Sequence, residues 1–170
     1  MNRKEIVGLL PEIKLIKNTK LRNGVIQAWI KAAGKGAWCR IDNLPFTLLI
    51  RTNKTLIAHT RIVTRMAYAV ASQRRDIDID IVLAGALTHD VGKLLEYEKQ
   101  GKKIVKSDYG KMVRHPASGY GICLEVGLPL SVAHIVATHS VEGDKVKRSK
   151  ESVIINHCDF IDFDIEKNKK

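Results

Sequence analysis

Residues 81–93 read IVLAGALTHDVGK, and this run decides the fold. From Ile81 to Leu87 no side chain carries a charge or a hydrogen-bonding group. A segment apolar on every side is a helix at the centre of a helical packing rather than on its surface. The run then turns polar at Thr88, His89 and Asp90. A carboxylate at the end of a buried helix is costly unless it is paired or binds a metal. Gly92 is the expected helix stop. Lys93 stands four residues after His89 and so shares its face.

Working outward, residues 53–75 have helical periodicity. Leu56, His59, Val63, Met66, Ala67 and Val70 recur at spacings of three and four, which puts them on one face. Asn53 is the expected N-cap. Residues 2–33 read as helices interrupted near Pro11, and 34–45, GKGAWCRIDNLP, as a loop. The apolar run 46–50 fits strand or helix equally. After the central helix, residues 94–114 read as a charged loop, within which 103–105 has strand character. Helices resume at HPASG, 115–119, again after Pro129, and finally over about 151–165. The basic loop EGDKVKRSK, 142–150, precedes the last of them. The expected class is all-α, a bundle with a site in its core. The expected organisation is an N-terminal helical extension over 1–52 packed on a main domain over 53–170.

Polar residues recur where apolar ones belong. His59 lies on an apolar helix face, and His89 and Asp90 end the central helix. His115 opens a helix and His139 ends one. Asp159 lies within the apolar run SVIINHCDFIDF, 152–163. Four imidazoles and two carboxylates on successive helices can meet in a bundle core. His134 lies five residues before His139 and points elsewhere on its helix. His157 faces away from Asp159.

The order H…HD…H…H…D resembles the HD-domain superfamily of metal-dependent phosphohydrolases. His59, the pair His89–Asp90 in THDVGK, and Asp159 in HCDFID match the family's core metal motif. His115 in HPASG and His139 in IVATHS match the additional histidine pair that accompanies a dinuclear site. Val63 and Ala67 follow His59 as in the family's H…V…A helix. The run from Asp159 to Asp162 is similar to the D-Y-I-E close of bacterial dinucleoside-polyphosphate hydrolases of the superfamily. The similarity covers about 56–162. No GYP triplet is present and no HHE run follows His115, so cyclic-di-GMP phosphodiesterase activity is not expected.

The resemblance implies a helical bundle that holds two divalent ions bridged by Asp90. His59, His89 and Asp159 would bind one ion, and His115 and His139 the other. Imidazole and carboxylate donors suit Fe, Mn, Co, Ni or Zn. The expected activity is hydrolysis of a phosphomonoester or phosphodiester in a nucleotide or other small phosphorylated molecule. The catalytic residues would be Asp90 and Lys93. Apart from the resemblance, Lys93 shares the face of His89 and basic segments border the site, so Lys93, Arg114, Lys111 and Lys145 are expected to contact the substrate. Two alternatives stand beside this reading: a dinuclear-iron HD-type oxygenase, and a non-catalytic metal- or nucleotide-binding regulatory module.

Composition narrows the partners. The net charge of +11 attracts anions. No nucleic-acid motif and no aromatic stacking platform is present, so a nucleic-acid binder is disfavoured, with RNA kept open as a substrate. The sequence has no apolar run long enough to cross a bilayer and shows no signal-peptide pattern. Three scattered cysteines suggest no disulfide framework. A cytoplasmic protein without a membrane partner is expected, and a homo-oligomer is compatible with the sequence.

Overall fold

The computed structural model describes residues 1–169. Nine α-helices and one two-stranded hairpin are present among them. The chain opens with α1 (Arg3–Leu9), a 3-10 turn (Pro11–Leu15) and α2 (Thr19–Lys35). The bundle proper follows as α3 (Leu56–Ala71), α4 (Ile79–Thr88) and the short α5 (Lys93–Glu96). Next come strands β1 (Tyr97–Gln100) and β2 (Lys103–Lys106) and the single-turn α6 (Asp108–Met112). Then α7 (His115–Glu125), α8 (Leu130–Thr138) and α9 (Lys150–Lys167) complete it.

Local chemistry sets the helix starts. Asn2 and Glu5 form a reciprocal capping box on α1. The side chains of Asn18, Asp78 and Ser149 accept backbone N–H groups at the starts of α2, α4 and α9. For α3 the cap is Thr55, which accepts from the Ala58 N–H, and not Asn53. Residues 46–50 form neither strand nor helix. Beyond an isolated bridge between Pro45 and Thr55, Phe46 and Thr47 turn inward and are buried, while Leu48 and Leu49 are exposed. On α3, Leu56, His59, Val63 and Ala67 are buried as the periodicity requires, whereas Val70 is exposed and the buried face continues through Ala71 instead.

Helix α4 is the hub, buried from Val82 to Thr88 and packed against α2, α3, α8 and α9. Gly85 makes this approach close. A Cβ there would fall 2.7 Å from Ile135 and 3.1 Å from Ile155. Two indoles tie the N-terminal segment to α4 and to α5 just beyond it. Trp29 on α2 donates to the Leu87 carbonyl at 2.8 Å, and Trp38 donates to the Leu94 carbonyl at 2.7 Å. Side chains of α1 and α2 belong to one apolar cluster with those of α4, α7 and α8.

The charged stretch 94–114 is more ordered than a loop. Its apolar residues Leu94 and Tyr97 are buried, and β1 pairs antiparallel with β2 in the register Tyr97↔Lys106, Lys99↔Ile104. Gly101, with φ of 62°, makes the turn. Among the described residues no helix is long and apolar enough to cross a membrane.

Candidate metal centre

Five helices or their ends deliver six side chains to one point. His59 comes from the middle of α3. His89 caps the C-terminus of α4, with Asp90 next to it. His115 is the first residue of α7, His139 caps the end of α8, and Asp159 lies on α9. Their donor atoms form two groups, His59–His89–Asp159 and Asp90–His115–His139. Within each group the atoms lie within 4.8 Å of one another.

The carboxylate of Asp90 lies between the two groups. Its Oδ2 is 3.5 Å from His59 Nε2 and 3.4 Å from His89 Nε2. Its Oδ1 is 3.3 Å from His115 Nε2 and 3.7 Å from His139 Nε2. Asp159 Oδ1 adds a contact of 3.0 Å to His59 Nε2.

The far side of each ring fixes which nitrogen points inward. His89 Nδ1 is 2.7 Å from the Ala86 carbonyl, and His139 Nδ1 is 2.7 Å from the Val136 carbonyl. A carbonyl only accepts, so both Nδ1 atoms carry the hydrogen. The other two rings use carboxylates: His59 Nδ1 is 2.6 Å from Asp162 Oδ2, and His115 Nδ1 is 2.9 Å from Glu96 Oε2. In a neutral ring this leaves Nε2 as a bare lone pair. The Nε2 atoms face one another, 3.3 Å apart in the His59–His89 pair and 3.3 Å apart in the His115–His139 pair, with carboxylate oxygens beside them. Such a buried knot of acceptors fits a bound cation in each group.

Burial and charge act on these groups in opposite directions. Asp90 is fully enclosed, which favours its neutral form, yet the Lys93 ammonium and His89 hold it well below the usual carboxylate range. Burial likewise opposes ionisation of Asp159, but the bond to His59 and the nearby His89 bring it down to about 2. Burial pushes His115 down to about 4, against the pull of Glu96. For His59 burial works downward too, but Asp159 and Asp162 outweigh it and raise the imidazolium. A proton and a metal ion therefore compete for His59 Nε2.

A cavity of about 440 Å³ opens onto the centre. Asp90, His115 and Asp159 form its floor. Lys93, Lys106 and Arg114 put cations on its walls, and Phe46, Leu49, Phe160 and Phe163 add an apolar side. Lys93 Nζ donates to Asp90 Oδ2 at 2.7 Å and to the Phe46 carbonyl at 2.6 Å. An ammonium has three hydrogens, so one remains for a ligand. Arg114 lines the cavity while bonded to Glu142 and Glu96. Lys111 and Lys145 are exposed and do not line it; Lys111 pairs with Asp108 on α6. His134 accepts from the Ser149 N–H at 3.2 Å, away from the centre, and His157 is exposed.

Sequence reasoning assigned no role to Glu96, Asp162 or Lys54. Asp162 splits its carboxylate, with Oδ2 on His59 and Oδ1 2.6 Å from Lys54 Nζ. Its position three residues after Asp159, on the same helix face, was the available signal.

The fold and this site define a helical domain built around a candidate metal centre. The chain belongs to the HD domain family, whose model matches residues 56–164. The match spans all six convergent side chains. The chain is also 25% identical, over 144 residues, to a protein named Ribonuclease Y from Desulforamulus reducens. That similarity covers 84% of this chain but only 25% of the relative, so the chain spans about a quarter of the relative's length. No solved structure matches the chain.

Proposed function

We propose that this protein is a metal-dependent phosphohydrolase acting on a phosphomonoester or phosphodiester of a nucleotide or similar small phosphorylated molecule. One observation carries the reading: four imidazole Nε2 atoms and the two oxygens of Asp90 converge with hydrogens directed away from the centre. His59, His89 and Asp159 would hold one divalent ion, His115 and His139 a second, and Asp90 would face both. Imidazole and carboxylate donors suit Fe, Mn, Co, Ni or Zn. When bound, two such ions supply Lewis acidity and lower the pKa of water.

The chain's own residues do the rest. Lys93 directs its remaining N–H to a phosphate oxygen and stabilises the charge that develops there. Arg114 and Lys106 hold further phosphate oxygens. The apolar side of the cavity takes the part of the substrate that is not phosphate. Cytoplasmic localisation fits such a substrate.

The reading is tested on protein purified without chelator, by metal analysis and by product formation from a panel: free phosphate from nucleoside phosphates, the ring-opened monophosphate from cyclic nucleotides, and shortened fragments from RNAs. About two ions per chain, with hydrolysis abolished by chelation, support it. Protein that takes up no metal on reconstitution, or that is loaded and hydrolyses none of the panel, removes it.

A second reading has its own support. The name of the relative, together with the exposed lysines Lys99, Lys102 and Lys103 on the hairpin beside the cavity, favours RNA as the phosphodiester. The RNA arm of the panel separates the two.

A further inference from the structure

The side chain of Glu96 is almost fully enclosed, yet it lines the cavity and every partner it has is a donor. Its two oxygens do different work. Oε2 accepts the backbone N–H of His115 at 2.7 Å and faces His115 Nδ1 at 2.9 Å. Oε1 accepts from Arg114 Nη1 at 3.2 Å and lies 3.4 Å from Lys106 Nζ. One carboxylate therefore touches both a residue of the candidate metal centre and two of the cations on the cavity wall.

The backbone of Glu96 is itself held. Its carbonyl accepts the Ser107 N–H at 2.9 Å and the Ser107 hydroxyl at 3.2 Å. Gly110 packs directly on that carbonyl, where a Cβ would collide with it. Arg114 is further braced by Glu142 at 2.9 Å. A carboxylate anchored at both ends fixes the ring it bonds to, and partners of this kind orient metal-ligating histidines elsewhere.

We propose that Glu96 is a positioning residue that joins the Asp90–His115–His139 ion position to the phosphate-binding cations Arg114 and Lys106. It sets the His115 ring through one oxygen and the two cations through the other, so that ion and phosphate bind as one unit. Asp162 is the corresponding positioning residue for His59 alone, since the cation on its other oxygen, Lys54, does not line the cavity. This inference rests on the two-ion reading above.

The test is a pair of calorimetric titrations on the full chain. Metal-free protein is titrated with Mn²⁺, and the loaded protein is then titrated with inorganic phosphate. For Glu96→Gln the expected result is a second ion bound about 10- to 100-fold more weakly, an unchanged first ion, and phosphate bound at least about 10-fold more weakly. For Asp162→Asn the first ion weakens instead. If Glu96→Gln fails to fold, Glu96→Asp is used; it keeps the charge, withdraws the oxygens, and should show the same pattern. Thermal melts of the metal-free forms identify which variant is folded. The inference is overturned if a folded Glu96 variant binds the second ion and phosphate as the wild type does, or if both ions weaken equally. Wild-type protein that binds fewer than two ions instead removes the two-ion reading itself, a result seen before any variant is made.

Discussion

His89 and His139 are built alike. Each follows a threonine at the end of its helix, and each places Nδ1 2.7 Å from the carbonyl three residues back. The preceding hydroxyls, Thr88 and Thr138, each bond at 2.7 Å to the carbonyl four residues before them. The two rings lie edge to face with centroids 5.1 Å apart. The orientation of both thus comes from their own helix ends, while His59 and His115 depend on carboxylates from elsewhere in the chain.

This division predicts metal content. His139→Ala removes one donor from one group and should leave about one ion per chain, whereas Asp90→Asn, which touches both groups, should leave neither firmly held. Elemental analysis after gel filtration reads the difference. Full occupancy in Asp90→Asn would contradict the proposal that its carboxylate serves both ion positions.

Lys93 and Asp90 predict a stability effect. The pair is buried, so Lys93→Met leaves an uncompensated carboxylate and should cost the metal-free protein about 3–5 kcal/mol. Added Mn²⁺ should restore part of the loss, because cations then stand beside Asp90. Urea unfolding with and without Mn²⁺ checks this, and an equal loss in both conditions would count against it.

Gly92 admits no side chain. A Cβ there would collide with the His115 carbonyl and fall 2.7 Å from the Gly119 N–H nitrogen, both backbone atoms that cannot step aside. Gly92→Ala should therefore destabilise the protein by at least about 1–3 kcal/mol and move α7 away from Asp90. A denaturation midpoint like that of the wild type would show that the two segments separate freely.

Glu166 gives a dependence on acid. Bonds to Lys169 and Thr52 and the nearby Lys54 lower its carboxyl from 4.5 to about 2. A lowered carboxyl stabilises the fold above its unfolded value and loses that contribution as pH falls through the folded one. Stability should drop between about pH 4.5 and 2, and Glu166→Gln should flatten part of that drop. Because Thr52 and Lys54 hold the segment carrying Phe46 and Leu49, limited proteolysis within 47–51 should rise over the same interval in the wild type.

Much of this was legible from residue order. His59, His89, Asp90, His115, His139 and Asp159 stand out because each interrupts an apolar face or ends a buried helix, and periodicity says where such positions point. The bundle was legible for the same reason. Charged stretches carry no such aim. Lys111 and Lys145 looked equivalent to Arg114 in sequence, yet only Arg114 lines the cavity. Glu96 sits in LLEYEK, where a glutamate among charges reads as solvated surface. Its burial follows from α6 and α7 packing against α5, a tertiary event that local pattern does not encode. The start of α3 was misplaced because Asn53 and Thr55 are both good caps, and the bridge from Thr55 to Pro45 decides between them.

The placement of Asp159 on the last helix has a consequence in time. During synthesis α3 and α4 emerge well before α9 and bring His59, His89 and Asp90 near one another, but the His59–His89 group lacks its carboxylate until α9 docks. Asp162, which orients His59, arrives on the same helix. Tight uptake of the proposed ion at that position would therefore be a late event, and it would report that the chain from α3 to α9 has closed.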